Sequence, residues 1–235
     1  MSEKFGDPIG EAILRYAANK KPADIIVISD ICEDDIIPVE VLFRSYQEMP
    51  EIEKVAISLA GGKILDVGAG AGVHSLELMK RGLKVEAIDL SPGAVGHMKS
   101  QGIDARNVDF FDLNSEKFDT IIMLMNGIGI AGKLSNLENT LSHAKSLLNK
   151  GGKIICDSSD INYLYEDDDG SMWINLNTEY YGNFRFQMIF DKEKGPWFDW
   201  LYVDFDRLFQ AAQNVGLKAK RVSEQYDHYL AELSL

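Results

Sequence analysis

The spacing of hydrophobic and polar positions changes several times along the chain, and each change marks an element. Asp7-Pro8 reads as a helix N-cap and first helical position, after which Ile9, Ile13, Tyr16 and Ala17 fall on one helical face. A short apolar run, Ile25 to Ile28, precedes the acidic loop Asp30 to Asp35. Pro38 opens a second helical stretch with Val39, Leu42, Phe43 and Tyr46 apolar. Pro50 opens a third with Ile52, Val55, Ala56 and Leu59, stopped by Gly61-Gly62. Residues 1–62 are too few and too irregular for a core of their own. They are expected to form a helical N-terminal cap on a main domain spanning residues 63–235.

From Lys63 the period alternates regularly between strand and helix. Strands are expected at Ile64 to Val67, Lys84 to Ile88, Ala105 to Val108, Thr120 to Met125 and Lys153 to Cys156. Helical patterns fall between them: Val73 to Lys80, then Ala94, Val95 and Met98 behind Ser91-Pro92, then Leu134, Leu137, Leu141, Ala144 and Leu148. Such alternation implies right-handed crossovers and a doubly wound, mostly parallel α/β sheet. It breaks after Asp157. Residues 158–203 read as an insertion with a β hairpin, Tyr180 to Phe190 and Trp197 to Val203 around a turn at Lys192 to Pro196. A helix capped by Asp204 follows. Two last strands, Leu217 to Glu224 and His228 to Leu233, lie too close for a crossover and must be antiparallel, which completes a seven-stranded sheet.

The chemistry concentrates where the first parallel strand ends. Asp66 is the one charge within an apolar run, and Gly68, Gly70 and Gly72 follow at alternate positions before a helix opens at Val73. A strand, a Gly-rich turn and a helix N-terminus bring backbone N–H groups and the positive helix end to a ligand. The dinucleotide fingerprint G-x-G-x-x-G would need glycine at position 73, where Val73 stands. The pattern Asp66-x-Gly68-x-Gly70-x-Gly72 instead resembles motif I of the class I S-adenosylmethionine-dependent methyltransferases. The resemblance is strong over residues 63–158 and rests on topology over 204–235. The turn Lys150-Gly151-Gly152 departs from the Pro-Gly-Gly frequent in that family.

The resemblance implies S-adenosyl-L-methionine as cofactor. Asp66 would receive its ammonium, with Gly68, Ala69, Gly70 and Gly72 cradling the uncharged thioether and ribose. Asp89, about 20 residues after Gly68, sits where a carboxylate takes both ribose hydroxyls, and Leu90 would lie against the adenine. Asp109 and Phe110 match the family's adenine-binding acid and its apolar neighbour. Asn126 and Gly127 end the fourth strand, near the sulfonium and the acceptor. Arg44, between Phe43 and Tyr46, is a candidate to fork the cofactor's carboxylate or to form a surface ion pair with a neighbouring glutamate. The insertion holds all three tryptophans and reads as a substrate lid, with Trp173 and Tyr180 as acceptor contacts.

Composition narrows the partners. A net charge of −13 over 235 residues repels phosphate backbones, which argues against nucleic acid, and the fourth strand lacks the Asn/Asp-Pro-Pro-aromatic tetrapeptide of amino methyltransferases acting on bases. Cys32 and Cys156 make neither a metal spacing nor a disulfide framework, and the acidic runs lack the spacing of a calcium loop, so no metal is expected. No segment approaches the ~20 apolar residues of a membrane helix, and the expected location is cytoplasmic. No catalytic base stands out: His74, His97, His143 and His228 all read as structural or solvated. The expectation is methyl transfer to a small-molecule acceptor. Its rivals are a protein methyltransferase, a non-catalytic cofactor-binding or regulatory module of the same fold, and a nicotinamide oxidoreductase. The acceptor atom and the oligomeric state stay open.

Overall fold

The computed structural model of the protein describes residues 5–165 and 179–235. Its largest element is a seven-stranded sheet built from β3 (Lys63–Val67), β4 (Lys84–Asp89), β5 (Asp104–Asn107), β6 (Phe118–Met123), β7 (Leu148–Ser159), β10 (Lys218–Gln225) and β11 (His228–Ser234). The order is β10-β11-β7-β6-β3-β4-β5, with β11 antiparallel to both neighbours and the other pairings parallel. This is the doubly wound sheet with an antiparallel terminal hairpin that the sequence predicts. The order reverses at β3, whose right and left neighbours are β4 and β6, so a crevice opens beyond the carboxyl end of β3.

Apolar side chains sort to the two faces as the pleat requires. Leu65, Ile121, Ile154 and Ala231 face α5 (Leu137–Ser146) and α6 (Phe205–Asn214), together with Leu141 and Leu208. Ile64, Ile122, Ile155 and Leu230 face α2 (Glu51–Leu59), whose Ile52, Ala56 and Ile57 are fully packed. On the same side, α3 (Val73–Lys80) and α4 (Pro92–Ser100) cover β4 and β5.

The leader differs from a wholly helical cap. It contains α1 (Pro8–Asn19), then two strands, β1 (Asp24–Ser29) and β2 (Asp35–Pro38), before α2. The run Ile25 to Ile28 is thus a strand, and its partner is distant in sequence. β1 pairs antiparallel with β2 on one side and with β8 (Asn183–Phe190) on the other, and β8 pairs with β9 (Glu193–Leu201). Leader and inserted hairpin together make a second sheet, ordered β2-β1-β8-β9. α1 packs on it through Ala12 against Ile25, Val39 and Phe190. β9 starts at Glu193, earlier than expected, and passes through Pro196, which an edge strand tolerates because no ladder donor is required there.

The stretch after Pro38 forms two short 3-10 turns, Val39–Phe43 and Tyr46–Glu48, instead of an α-helix. Arg44 and Met49 are extended at the end of each, with ψ of 143° and 142°, and Met49 precedes a proline, which disfavours helical backbone.

Candidate functional site

The crevice at the switch point is built first by the glycine turn between β3 and α3. Gly68, Gly70 and Gly72 all take positive φ, at 68°, 56° and 81°. A Cβ at Gly68 or Gly70 would meet nothing within 4 Å, so at these two positions the missing side chains leave the crevice open. At Gly72 the need is internal: a Cβ would stand 2.5 Å from Ile103 Cδ1 and 2.9 Å from Met98 Cγ. The main chain of Gly68 and Ala69 donates to Ile88 O at the end of β4, which pins the turn over the sheet.

Two carboxylates border this turn. Asp66 is 2% exposed, and its carboxylate accepts from Ser75 Oγ at 2.6 Å. Burial pushes its pKa above the usual carboxylate range, outweighing the nearby His74 and that hydrogen bond. Asp89 ends β4 and accepts from Gly70 N and Ser91 N, both at 2.8 Å. Burial raises its pKa as well, against the lowering effect of those N–H groups. Asp89 therefore fixes the glycine turn and the start of α4 while lining the crevice. Ser91 caps α4 through Ala94 N, as the sequence suggests.

The roof comes from the leader. Ile9, Ile25, Ile37 and Leu42 line the crevice opposite Asp66, Gly68 and Gly70, and Trp200 of β9 lines it from the second sheet. Asp7 anchors this roof. One of its oxygens caps α1 at Gly10 N, and the other accepts from Ser91 Oγ at 2.8 Å and Gly93 N at 2.9 Å. α1 then crosses α4 at a glycine pair, Gly10 against Gly93, close enough that a Cβ on Gly93 would lie 2.6 Å from Gly10 Cα.

Beyond β6 the chain turns through two left-handed residues, Met125 (φ 62°) and Asn126 (φ 58°). Positive φ suits asparagine and is uncommon for methionine, so the turn needs outside support. Asp157 supplies it by accepting from Asn126 N at 2.9 Å, and Ser158 Oγ donates to Asn126 Oδ1 at 2.7 Å. Asn126 Nδ2 donates to Leu201 O. The Asn126 side chain is thus turned into the protein, while its neighbours Met125 and Gly127 line the crevice.

The structure gathers Asp66, Gly68, Ala69, Gly70, Asp89 and Gly127 around one crevice. Other candidates are not among the residues lining it. Phe110 is buried in the α5 face of the core, edge-on to His143, and is not among the crevice's lining residues. Asp109 accepts from Phe111 N and caps a 3-10 turn, and Leu90 is 69% exposed. Tyr180 donates to Asp204 Oδ2 at 2.6 Å and packs on the core, which commits its hydroxyl to the cap of α6. Trp173 lies outside the described residues.

Arg44 forms a buried, not a surface, ion pair: its guanidinium meets Glu53 and donates to Val41 O at 2.9 Å. Glu53 in turn lies 2.7 Å from His74 Nε2, and His74 lines the crevice at the start of α3. Burial pushes Glu53 up, but the hydrogen bonds and charges of His74 and Arg44 outweigh it, and the net shift is downward. Among the described residues Arg44 Nε is buried with no partner.

The remaining histidines take structural places. His97 is buried against Phe43 and His143 sits between Phe110 and Phe111, so neither is a surface ring. His228 pairs with Asp157. Sequence reasoning missed the apolar roof, the His74 link and this pair, because each joins elements far apart in the chain. The described residues hold no group of three or more His, Cys, Asp or Glu fit for a metal, and no described helix is long and apolar enough to cross a membrane.

Comparison with known proteins agrees with this geometry. Residues 64–152 match a family described as a methyltransferase domain. A crystal structure of a SAM-dependent methyltransferase from Bacteroides fragilis, in complex with S-adenosyl-L-homocysteine, is 44% identical with a TM-score of 0.91, covering 98% of this chain and 95% of that one. A ubiquinone biosynthesis O-methyltransferase from Dechloromonas aromatica is 31% identical over 108 residues, 42% of this chain and 45% of its own length. One from Acinetobacter baumannii is 35% identical over 68 residues, 29% of its length. The chain thus matches less than half the length of these curated relatives.

Proposed function

As the chain belongs to the S-adenosylmethionine-dependent methyltransferases, we propose that it binds S-adenosylmethionine in the roofed crevice and transfers the methyl group to a small organic acceptor. The observation that carries the reading is the junction of Asp89 with the glycine turn. A carboxylate held by Gly70 N and Ser91 N stands beside two glycines whose absent side chains leave room for a ligand. The residues fit the cofactor. Asp66 is a buried carboxylate that accepts from Ser75 among the described residues, suited to the cofactor's ammonium, and the carboxylate of Asp89 at the end of β4 suits the ribose hydroxyls.

When bound, the sulfonium supplies a methyl group by in-line displacement, the carbon–sulfur electron pair leaving on sulfur. The protein's part is to position and to exclude water. Ile9, Leu42 and Trp200 close an apolar wall over the crevice. Arg44 pairs with Glu53, which holds His74 Nε2 at 2.7 Å, and it is a candidate to meet the cofactor's carboxylate through its Nε, which has no partner among the described residues. Residues 63–235 carry the transferase unit, and α1, β1 and β2 of the leader with the hairpin β8–β9 form the roof of its crevice. Free Cys32 and Cys156 agree with a reducing cytoplasm. The net charge of −13 favours a small molecule over nucleic acid.

Calorimetry with S-adenosylhomocysteine and with NAD tests the reading. The expected result is saturable binding of the first and none of the second. NAD binding without a response to S-adenosylhomocysteine would end it.

A further inference from the structure

We propose that the open pocket between α1, α3 and α4 is a second ligand site, and that it takes a small organic carboxylate with an apolar body. The inference goes beyond the methyltransferase reading and does not rest on it.

The pocket has a volume of about 480 Å³, within the range of small-molecule sites. It shares Ala71 and Val73 with the crevice, but Asp66 and Asp89 line the crevice alone. Leu14 and Ala17 of α1, Phe43 and Leu76 form its apolar walls. Leu14 is 46% exposed, so the apolar body of a ligand would cover surface that the fold leaves wet. Gly96 of α4 adds room, because no atom lies within 4 Å of the place its Cβ would take. A glycine inside a helix weakens it, and no close contact demands one at this position.

The charged groups here carry one sign. Lys20 and His97 line the pocket and no carboxylate does, in a chain of net charge −13. They flank one ring: Lys20 Nζ lies 4.8 Å from the centroid of Phe43, and His97 meets the same ring edge-on at 5.3 Å between centroids. Lys20 makes no ion pair among the described residues. His97 is only 8% exposed, yet its imidazole makes no hydrogen bond among them either. Buried polar groups ordinarily have a partner, and the pocket is where this one can find it. Ser100 and Gln101, also at the pocket, are engaged locally: Ser100 Oγ donates to His97 O and accepts from Gln101 Nε2.

Burial, and then the charge of Lys20, push the His97 pKa down, so the ring is neutral at neutral pH and offers one N–H. One ammonium and one imidazole N–H match a monoanion with two oxygens. The second charge of a phosphate would stay uncompensated.

The test uses the full chain saturated with S-adenosylhomocysteine, which fills the crevice, and 4-phenylbutyrate as the probe. Calorimetry should show one site per chain. The alcohol 4-phenylbutan-1-ol lacks the charge and acetate lacks the body, and each should bind at least about tenfold more weakly. Gly96→Leu fills the pocket and should abolish binding, while Lys20→Met should weaken it by about fivefold. Neither variant should change S-adenosylhomocysteine affinity by more than about twofold. In proton NMR the His97 pKa should rise on saturation, because the anion favours the imidazolium, while those of His143 and His228 stay fixed. No binding of 4-phenylbutyrate, equal binding of the alcohol or of acetate, or unchanged affinity in either variant would overturn the proposal. So would binding that S-adenosylhomocysteine abolishes, which would place the carboxylate in the crevice. Failure of S-adenosylhomocysteine to bind would end the methyltransferase reading alone, and the Gly96→Leu comparison then decides the pocket without it. If Gly96→Leu does not fold, Lys20→Met and the His97 pKa decide.

Discussion

The crossing of α1 over α4 offers a test in which two similar substitutions should act in opposite directions. Gly93 faces α1, and a Cβ there would lie 2.6 Å from Gly10 Cα and 2.8 Å from its carbonyl carbon. These are main-chain atoms that cannot rotate aside, so Gly93→Ala must part the helices. Removing a helical glycine favours the fold by about 0.5–1 kcal/mol, and overpacking costs about 1–3 kcal/mol. With a rigid neighbour the cost prevails, and the net loss should be about 1–2 kcal/mol. Gly96, on the same helix, has nothing within 4 Å of its Cβ direction. Gly96→Ala should therefore gain about 0.5–1 kcal/mol. The parting of the helices also carries a functional effect. α1 brings Ile9 into the crevice, and its cap Asp7 holds Ser91 and Gly93. Lifting it should weaken S-adenosylhomocysteine by about tenfold, mainly through faster release. Urea unfolding gives the first quantity, and calorimetry with stopped-flow release gives the second. Equal stability of the two variants, or unchanged ligand release in Gly93→Ala, would refute the argument.

Asp89→Asn keeps one acceptor oxygen for the turn but loses the charge, and S-adenosylhomocysteine affinity should drop by about 1.5–3 kcal/mol in calorimetry; an unchanged constant would leave Asp89 a purely structural brace. For Asp66 the folded-state pKa is raised, so its favourable contribution is complete below the usual carboxylate range and is lost as pH rises through the raised value. Asp66→Asn should hence be the more stable protein at neutral pH, with the gap closing in acid, while binding ligand less well; denaturant curves at both pH values check it, and a gap that widens in acid counts against it. Glu53 has the opposite sign: its stabilisation is present above the usual glutamate range and fades as pH falls through its lowered pKa. Arg44→Met leaves Glu53 buried with only His74, and should cost about 3 kcal/mol of stability as well as cofactor affinity; a variant binding as tightly as the parent would remove Arg44 from the site.

The parallel core was legible because its signals are local. Periods of two and of 3.6 alternate from Lys63 to Cys156, and the glycine turn announces itself by spacing. Asp89 was legible for the same reason, lying at a strand end a fixed distance from Gly68. What could not be read is whatever depends on partners far along the chain. Ile26 faces Ile189 across a strand pair, and nothing in the run Ile25 to Ile28 names β8 as its neighbour. Phe110 follows a strand as an adenine contact would, yet a 3-10 turn capped by Asp109 swings it onto His143. The same turn half-buries the ring of His143 between Phe110 and Phe111. Arg44 shows a related gap: its pairing with Glu53 spans nine residues across the 3-10 turn Tyr46–Glu48 and a proline, a path whose geometry no periodic pattern encodes.

The second sheet imposes an order of assembly. β1 lies between β2 and β8, so a strand near the start of the chain gains its second neighbour only once residues 183–190 are in place. During synthesis that edge waits unpaired until the hairpin of residues 183–201 has been made. The roof of the crevice therefore closes only once leader and hairpin have met. Ligand exchange can proceed through partial unfolding of leader and hairpin together, leaving the sheet that carries Asp66 and Asp89 intact.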